Sequence, residues 1–271
     1  LFVEHQRGHD AFRYDVMQKA AIYLQEDARD YRRPIVENVY HEPIDIFDRH
    51  LYERGSVVLD MLRTELGDAL WWQAIHAYVS THRERDVLTH DLQRAIEQAT
   101  GRNMDAFFQQ WVWKGGHPEF KATWAWDGAT KLGTLTLTQT QKPDDLTSIY
   151  RVPLEIGFMV NGVFERQTVR VTDAAHAFVF RLAAEPAFVS IDPAGRVLKT
   201  LDFAPGERAL RARLTDDPEA IDEFLNEPNL CRIATLDANG EPHVVPAWFW
   251  WDGRRFWIGA QRSEEHTSEL Q

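Results

Sequence analysis

The spacing of the apolar residues changes character once along this chain, at His117-Pro118, and that change constrains the fold more than any other feature. Before it, apolar residues recur every three or four positions. After it, they alternate with polar ones. One set of helices followed by sheet structure is expected, an α+β architecture rather than interleaved βαβ units.

The first part, 1–118, reads as five amphipathic helices joined by short loops, an α bundle. Asp10 is placed to cap the first, with Phe12, Val16, Met17, Ala20, Ala21 and Leu24 on its apolar side. Arg33-Pro34 breaks it, because proline drives the preceding residue out of the α region, and a loop follows to about Phe47. The second helix runs from near Leu51 with Val58, Leu59, Leu62 and Leu66 on one face, and Gly67 ends it. Asp68, Thr89 and Asn103 are expected to cap the remaining three. The third carries Trp71, Trp72, Ile75 and Val79. The fourth carries Leu92, Ala95, Ile96 and Ala99, and stops at Gly101. The fifth carries Met104, Phe107, Phe108, Trp111 and Val112, and stops at Gly115-Gly116.

From 119 to 203 the pattern predicts short strands at 134–141, 152–160, 164–171, 177–182 and 188–191, the spacing of a β-sandwich. A linker, 204–218, leads to a third register over 219–261. Asp217 and Pro218 start a short helix with Ile221, Phe224 and Leu225. Strands at 230–236, 243–251 and on to about 259 follow, with turns at Asp237-Ala238-Asn239-Gly240 and Asp252-Gly253. Three strands are too few to close a barrel, so this domain is expected to be truncated. The chain opens on Leu1 rather than Met, and a natural start further upstream is expected.

The bulk numbers exclude some functions. With 271 residues, 44% of them hydrophobic, the chain can bury real cores. A formal charge of -12 argues against nucleic acid as a partner, since binding it needs a basic face to displace counterions. No run of about 18 apolar residues exists to span a membrane. The single cysteine, Cys231, permits no internal disulfide; it fits a reducing compartment such as the cytoplasm without fixing one.

The sharpest cluster for chemistry is Phe47-Asp48-Arg49-His50-Leu51-Tyr52-Glu53-Arg54-Gly55. It puts Tyr52 at the start of a helix, where a phenol can point into a cleft and donate a hydrogen bond to a developing oxyanion. Gly55 follows, where backbones can approach closely. From these residues alone, a packing role for the tyrosine is the more ordinary reading. His5 and His9 have the i, i+4 spacing of a zinc helix, but Gln6 stands where a general base is needed and Gly8 disfavours helix. His41-Glu42 has no second histidine four residues on. Trp71, Trp72, Trp111 and Trp113 read as core.

The segment Tyr-Glu-Arg-Gly-Ser-Val-Val-Leu-Asp-Met-Leu-Arg, from Tyr52 to Arg63, resembles the Tyr-x-Lys-Gly-x-x-x-Leu-x-Met-Leu element of the alanyl aminopeptidase family, which are gluzincin metallopeptidases. Arg33-Pro34-Ile35, Thr89-x-Asp91-Leu92 and Phe107-Phe108-x-x-Trp111-Val112-x-x-Gly115-x-His117-Pro118 stand in that family's order. The resemblance covers about 1–203 and includes a sandwich after the catalytic domain. It implies a peptide substrate, zinc as cofactor, and Tyr52 as the donor to the tetrahedral oxyanion. The family's His-Glu-x-x-His and its Gly-x-Met-Glu-Asn element occur nowhere here, so no metal ligand is assigned. Both lie upstream of the matching segment in the family, and their loss by clipping rather than mutation is expected. The chain alone is expected to be inactive.

A second resemblance covers 219–260. Ile221-Asp222-Glu223-Phe224-Leu225 and Arg232-Ile233-Ala234-Thr235-Leu236-Asp237-x-x-Gly240-x-Pro242-His243-Val244-Val245-Pro246-x-Trp248-Phe249 are similar to the start of a pyridoxamine-phosphate-oxidase-like split barrel. It implies FMN or a deazaflavin for a complete domain, and a dimer across the barrel. The phosphate-binding residues fall beyond the match, so no flavin-binding residue is assigned, and a plain β-meander remains the alternative. A non-catalytic interaction module is the other reading. The last ten residues, from Arg262, resemble a translated sequencing adapter and are expected to be artefactual. Together these parts suggest a chimaeric or clipped assembly, or else a real fusion cut at both ends.

Overall fold

The computed structural model describes residues 2–204 and, beyond them, the strands at 230–236, 242–251 and 256–259. Compactness divides the chain into Leu1–Pro205 and Gly206–Gln271.

The first unit is α+β. Helix α1 (Phe2–Arg7) is separated from the long α2 (His9–Arg29) by Gly8, whose φ of 87° no other residue type adopts readily. Helices α3 (Gly55–Leu66), α4 (Asp68–Thr81), α5 (Thr89–Thr100) and α6 (Asp105–Trp111) follow. A 3₁₀ turn at Pro43–Ile46 lies in the stretch read as loop, and a π-helical turn, His50–Arg54, leads into α3.

The five helices of the sequence reading are present as α2 to α6, but their caps differ. Helix α2 begins at His9, ahead of Asp10. Gly67, at φ 79°, ends α3 and also starts α4, so Asp68 lies inside the first turn, where it pairs with Arg63 at 2.7 Å. Leu88, in extended conformation, takes the cap position of α5, its N–H bound by Asp91 Oδ2 at 2.8 Å. Met104 takes that of α6, although Asn103 Oδ1 does accept the Asp105 N–H at 3.1 Å. Helix α6 stops at Trp111, short of the glycines. Gly115 instead allows close packing: a Cβ there would stand 3.0 Å from the Arg33 backbone.

Val58 and Leu62, one turn apart, face inward, and Leu59, a quarter turn round, is exposed. Trp72 and Val79, seven residues apart on the outer face of α4, are likewise exposed, Trp72 at 45%, while Trp71 and Ala74 enter the core. Met17 is also outside it.

Strands β1 (Glu119–Asp127), β2 (Leu132–Gln139), β3 (Val152–Val160), β4 (Val163–Val171), β5 (Ala175–Arg181), β6 (Val189–Ile191) and β7 (Thr200–Phe203) form two sheets, ordered β5-β2-β1-β7 and β4-β3-β6. Strand β1, which the alternation did not single out, is interior to the four-stranded sheet. The sheets meet through Trp124 of β1 and Phe158 of β3, 5.6 Å apart, with Phe180 of β5 4.8 Å from Phe158. Leu135, Leu137, Leu154 and Ile156 share one continuous apolar core with Val58, Leu62 and Ile96 of the helices.

In the second unit β8 (Leu230–Leu236), β9 (Pro242–Trp251) and β10 (Phe256–Gly259) form an antiparallel meander, Cys231 pairing with Ala247 and Trp257 with Trp250. The helix expected after Asp217-Pro218, the turns at 237–240 and at Asp252-Gly253, the linker beyond 204 and the tail from Arg262 lie outside the described residues. Among the described residues, no helix is long and apolar enough to cross a membrane.

Candidate active site around Tyr52

Tyr52 sits in the middle of the π-helical turn and is 56% exposed. Its ring meets Phe47 edge to face at 6.0 Å. It borders a cavity of about 620 Å³ whose wall is mainly apolar, with Leu51, Leu59, Tyr78, Leu88 and Phe107 among the lining residues. A Cβ on Gly55 would meet nothing within 4 Å. The glycine therefore faces open space at the cavity and mediates no close backbone approach, contrary to the sequence reading.

Beneath the turn lies a buried ionic cluster that the sequence reading did not find. His50 and Arg54 are both 0% exposed. The His50 ring stacks on Tyr31 at 5.1 Å and meets the edge of Tyr23 at 5.2 Å. Its Nδ1 is 3.3 Å from Glu26 Oε1, and its Nε2, without a hydrogen-bond partner, is 3.6 Å from Asp27 Oδ1. Arg54 donates to the carbonyls of Arg33 at 3.4 Å, Lys114 at 2.9 Å and Gly116 at 3.1 Å. Asp48 is gripped by both arms of Arg33, accepts from the Tyr31 hydroxyl at 2.6 Å, and accepts the Leu51 N–H at 3.0 Å. Asp27 accepts from Arg32 at 2.6 and 2.9 Å and from the Tyr23 hydroxyl at 3.0 Å. His117, at the threshold of β1, places Nδ1 3.6 Å from Asp27 Oδ2.

The electrostatics follow from this packing. Burial pushes the Asp27 carboxyl up, but the adjacent His50 ring and the Arg32 fork outweigh it and hold the group at about 2. Burial drives the His117 imidazole down to about 4 despite the Asp27 charge that pulls it up, with Arg32 and Arg54 adding to the depression. The Tyr31 phenol, 45% exposed, is pushed up to about 12 by partial desolvation and by its bond to Asp48. The cluster therefore pairs charged Asp27 and Arg32 with a neutral His117.

One donor atom each from Glu26, Asp48 and His50 lie within 4.8 Å of one another. They do not suit zinc. Both Asp48 oxygens are already taken by Arg33, and Glu26 Oε1 accepts the Arg49 N–H at 3.1 Å, so binding a cation there means breaking an arginine–carboxylate fork. His5 and His9 are exposed and separated by the break at Gly8, and His41 and Glu42 are exposed in a loop.

A signal for the cluster did exist. Counting back in fours from Leu62 and Val58, which face the core, places Arg54 and His50 on the same inward stripe and Tyr52 opposite.

The first 111 residues match the peptidase family M1 domain. Residues 217–271 match pyridoxamine 5'-phosphate oxidase. Both resemblances read from the motifs are thus present. The chain is 30% identical over 138 residues to aminopeptidase N of Lactococcus lactis subsp. lactis, covering 48% of this chain and 16% of that protein. Similarity to the probable aminopeptidase 1 of Sulfurisphaera tokodaii, at 26% over 190 residues, covers 69% of this chain and 23% of that one, and so extends beyond the M1 match. A solved structure of Legionella pneumophila aminopeptidase A in complex with aspartic acid superposes with a TM-score of 0.61 at 16% identity, covering 83% of this chain and 26% of that one, a likeness of fold. The chain therefore spans less than a quarter of these two curated relatives.

Proposed function

We propose that this chain carries the tyrosine-bearing part of a zinc aminopeptidase that removes N-terminal residues from peptides, and that Tyr52 is its catalytic phenol. The observation that carries the reading is the placement of Tyr52: exposed beside a cavity, on a turn whose flanking residues His50 and Arg54 are fully buried. A phenol so held can donate a hydrogen bond to the oxygen that gains charge when a peptide carbonyl is attacked.

His-Glu-x-x-His is absent from the sequence, and among the described residues the one cluster of possible ligands, Glu26, Asp48 and His50, is committed to other partners. By itself it is inactive. The purified chain, supplied with zinc and an aminoacyl arylamide, gives no turnover; turnover abolished by a chelator would sink the proposal.

The same reading assigns 1–118 to the helical part of a catalytic domain, 119–203 to its β-sandwich, 204–218 to a linker, 219–261 to an incomplete split barrel and 262–271 to an artefactual tail. The match to pyridoxamine 5'-phosphate oxidase favours a second function for a complete form of that barrel, binding FMN or a deazaflavin across a dimer. Yellow colour and released FMN in a preparation of the chain test it, and a colourless protein that takes up no added FMN counts against it.

A further inference from the structure

We infer that His50 and Arg54 are positioning residues for the Tyr52 phenol, fixing its direction through the π-helical turn they clamp. The inference rests on the reading of Tyr52 as the donor, and it adds two residues to which that reading gives no task.

The geometry is specific. The turn is widened: the Arg54 N–H reaches back five residues to the Arg49 carbonyl at 2.9 Å, while the Tyr52 N–H bonds the Asp48 carbonyl at 3.2 Å. A widened turn is easily lost to ordinary α-helix unless side chains hold it. Here both ends are held and buried, and Tyr52 between them is exposed. His50, two residues before Tyr52, is fixed between the Tyr23 and Tyr31 rings, and Glu26 Oε1 serves both its Nδ1 and the Arg49 N–H. Arg54, two residues after, satisfies three backbone carbonyls from two distant segments and lies over the Tyr23 ring at 5.6 Å. Asp48, itself gripped by Arg33, binds the Leu51 N–H at the first free position of the turn.

Burying a guanidinium and an imidazole in one five-residue turn is costly, and an all-apolar stripe continuous with Val58 and Leu62 would pack as well. What the polar pair adds is direction. A hydrogen-bonded clamp permits one rotation of the turn, whereas apolar packing tolerates several. For a donor that must meet a charge within a few tenths of an ångström, that constraint matters.

The test labels the whole chain with 3-fluorotyrosine and reads its seven tyrosines by fluorine NMR, Y52F identifying the Tyr52 signal. H50A is expected to move that signal by more than its linewidth, and R54M to do the same. H50N, which returns a donor where Nδ1 stood, is expected to restore it. R54K keeps the charge and serves if R54M fails to fold. Signals from Tyr14 and Tyr78, on α2 and α4, are expected to stay in place. If H50A and the Arg54 variants lower the melting temperature but leave the Tyr52 signal unmoved, the residues merely stabilise the fold and the inference is overturned. Equal displacement of Tyr14 and Tyr78 overturns it too. A failure of the catalytic reading is separate, because it appears as Y52F retaining activity in an assembled enzyme whatever the fluorine spectra show.

Discussion

Replacing His117 should flatten part of the chain's response to acid. His117 is 3% exposed, with Nδ1 3.6 Å from Asp27 Oδ2 and its ring 6.0 Å from Tyr23. Burial holds its imidazole at about 4, below the ordinary 6.5. The folded value is the lower one, so as pH falls the unfolded chain takes up this proton first. Stability from the neutral ring is therefore complete above pH 6.5, is lost progressively between 6.5 and 4, and falls no further below that. At about 1.4 kcal/mol per pH unit, the full window is worth about 3 kcal/mol. For a unit of some 200 residues that corresponds to roughly 10 °C in melting temperature. Asp27, held at about 2, stays charged throughout. The assay is thermal unfolding followed by circular dichroism from pH 7.5 to pH 4, on the chain and on H117Q. The other histidines are common to both, so the difference isolates this ring. The wild-type chain should lose more stability than H117Q, with the gap opening between 6.5 and 4. Parallel curves would refute the reasoning, because they would mean that His117 is either solvated or protonated in the folded state.

Two further outcomes concern packing. Gly133→Ala puts a Cβ into the Trp124 indole, which is wedged against Phe158 and Phe180, and should cost about 1–3 kcal/mol in urea unfolding. Tyr150→Phe removes the hydroxyl that donates to the Gly115 carbonyl at 2.7 Å and should cost about 1–2 kcal/mol, with the buried carbonyl left unpaired; no change in the urea midpoint would contradict it.

The two halves of the first unit were legible because burial there follows periodicity. Strand β3 stands where alternation placed it, 152–160, since every second residue of that run meets the core. Helices α3 to α6 were visible for the same reason. Caps were less so: Gly67 serves two helices at once because its positive φ turns the chain in a single residue, which the side chain of Asp68 does not reveal. Exposed Leu59, Trp72 and Val79 show the limit of reading apolar residues as core, since a helix has more apolar positions than inward ones.

The ionic cluster was harder to see for a physical reason. Asp27, Arg33, Asp48, Arg54 and His117 come from segments up to 90 positions apart, and a charged side chain is buried at tolerable cost only where such segments bring it partners. The motif from Tyr52 to Arg63 drew attention to the tyrosine, while the inward stripe of His50 and Arg54 was available only by carrying the helical count back through the π-helical turn.

The central claim is that Tyr52 is the oxyanion donor of an aminopeptidase, and an exchange of segments tests it most directly. The matching segment of the Lactococcus lactis aminopeptidase N, 138 residues at 30% identity, is replaced by that of this chain, with and without Y52F, and kcat/KM is measured on an aminoacyl arylamide. The account predicts that the exchanged enzyme hydrolyses the substrate and that Y52F lowers kcat/KM by about 10²–10³-fold. An active exchanged enzyme whose Y52F form is equally fast would contradict it.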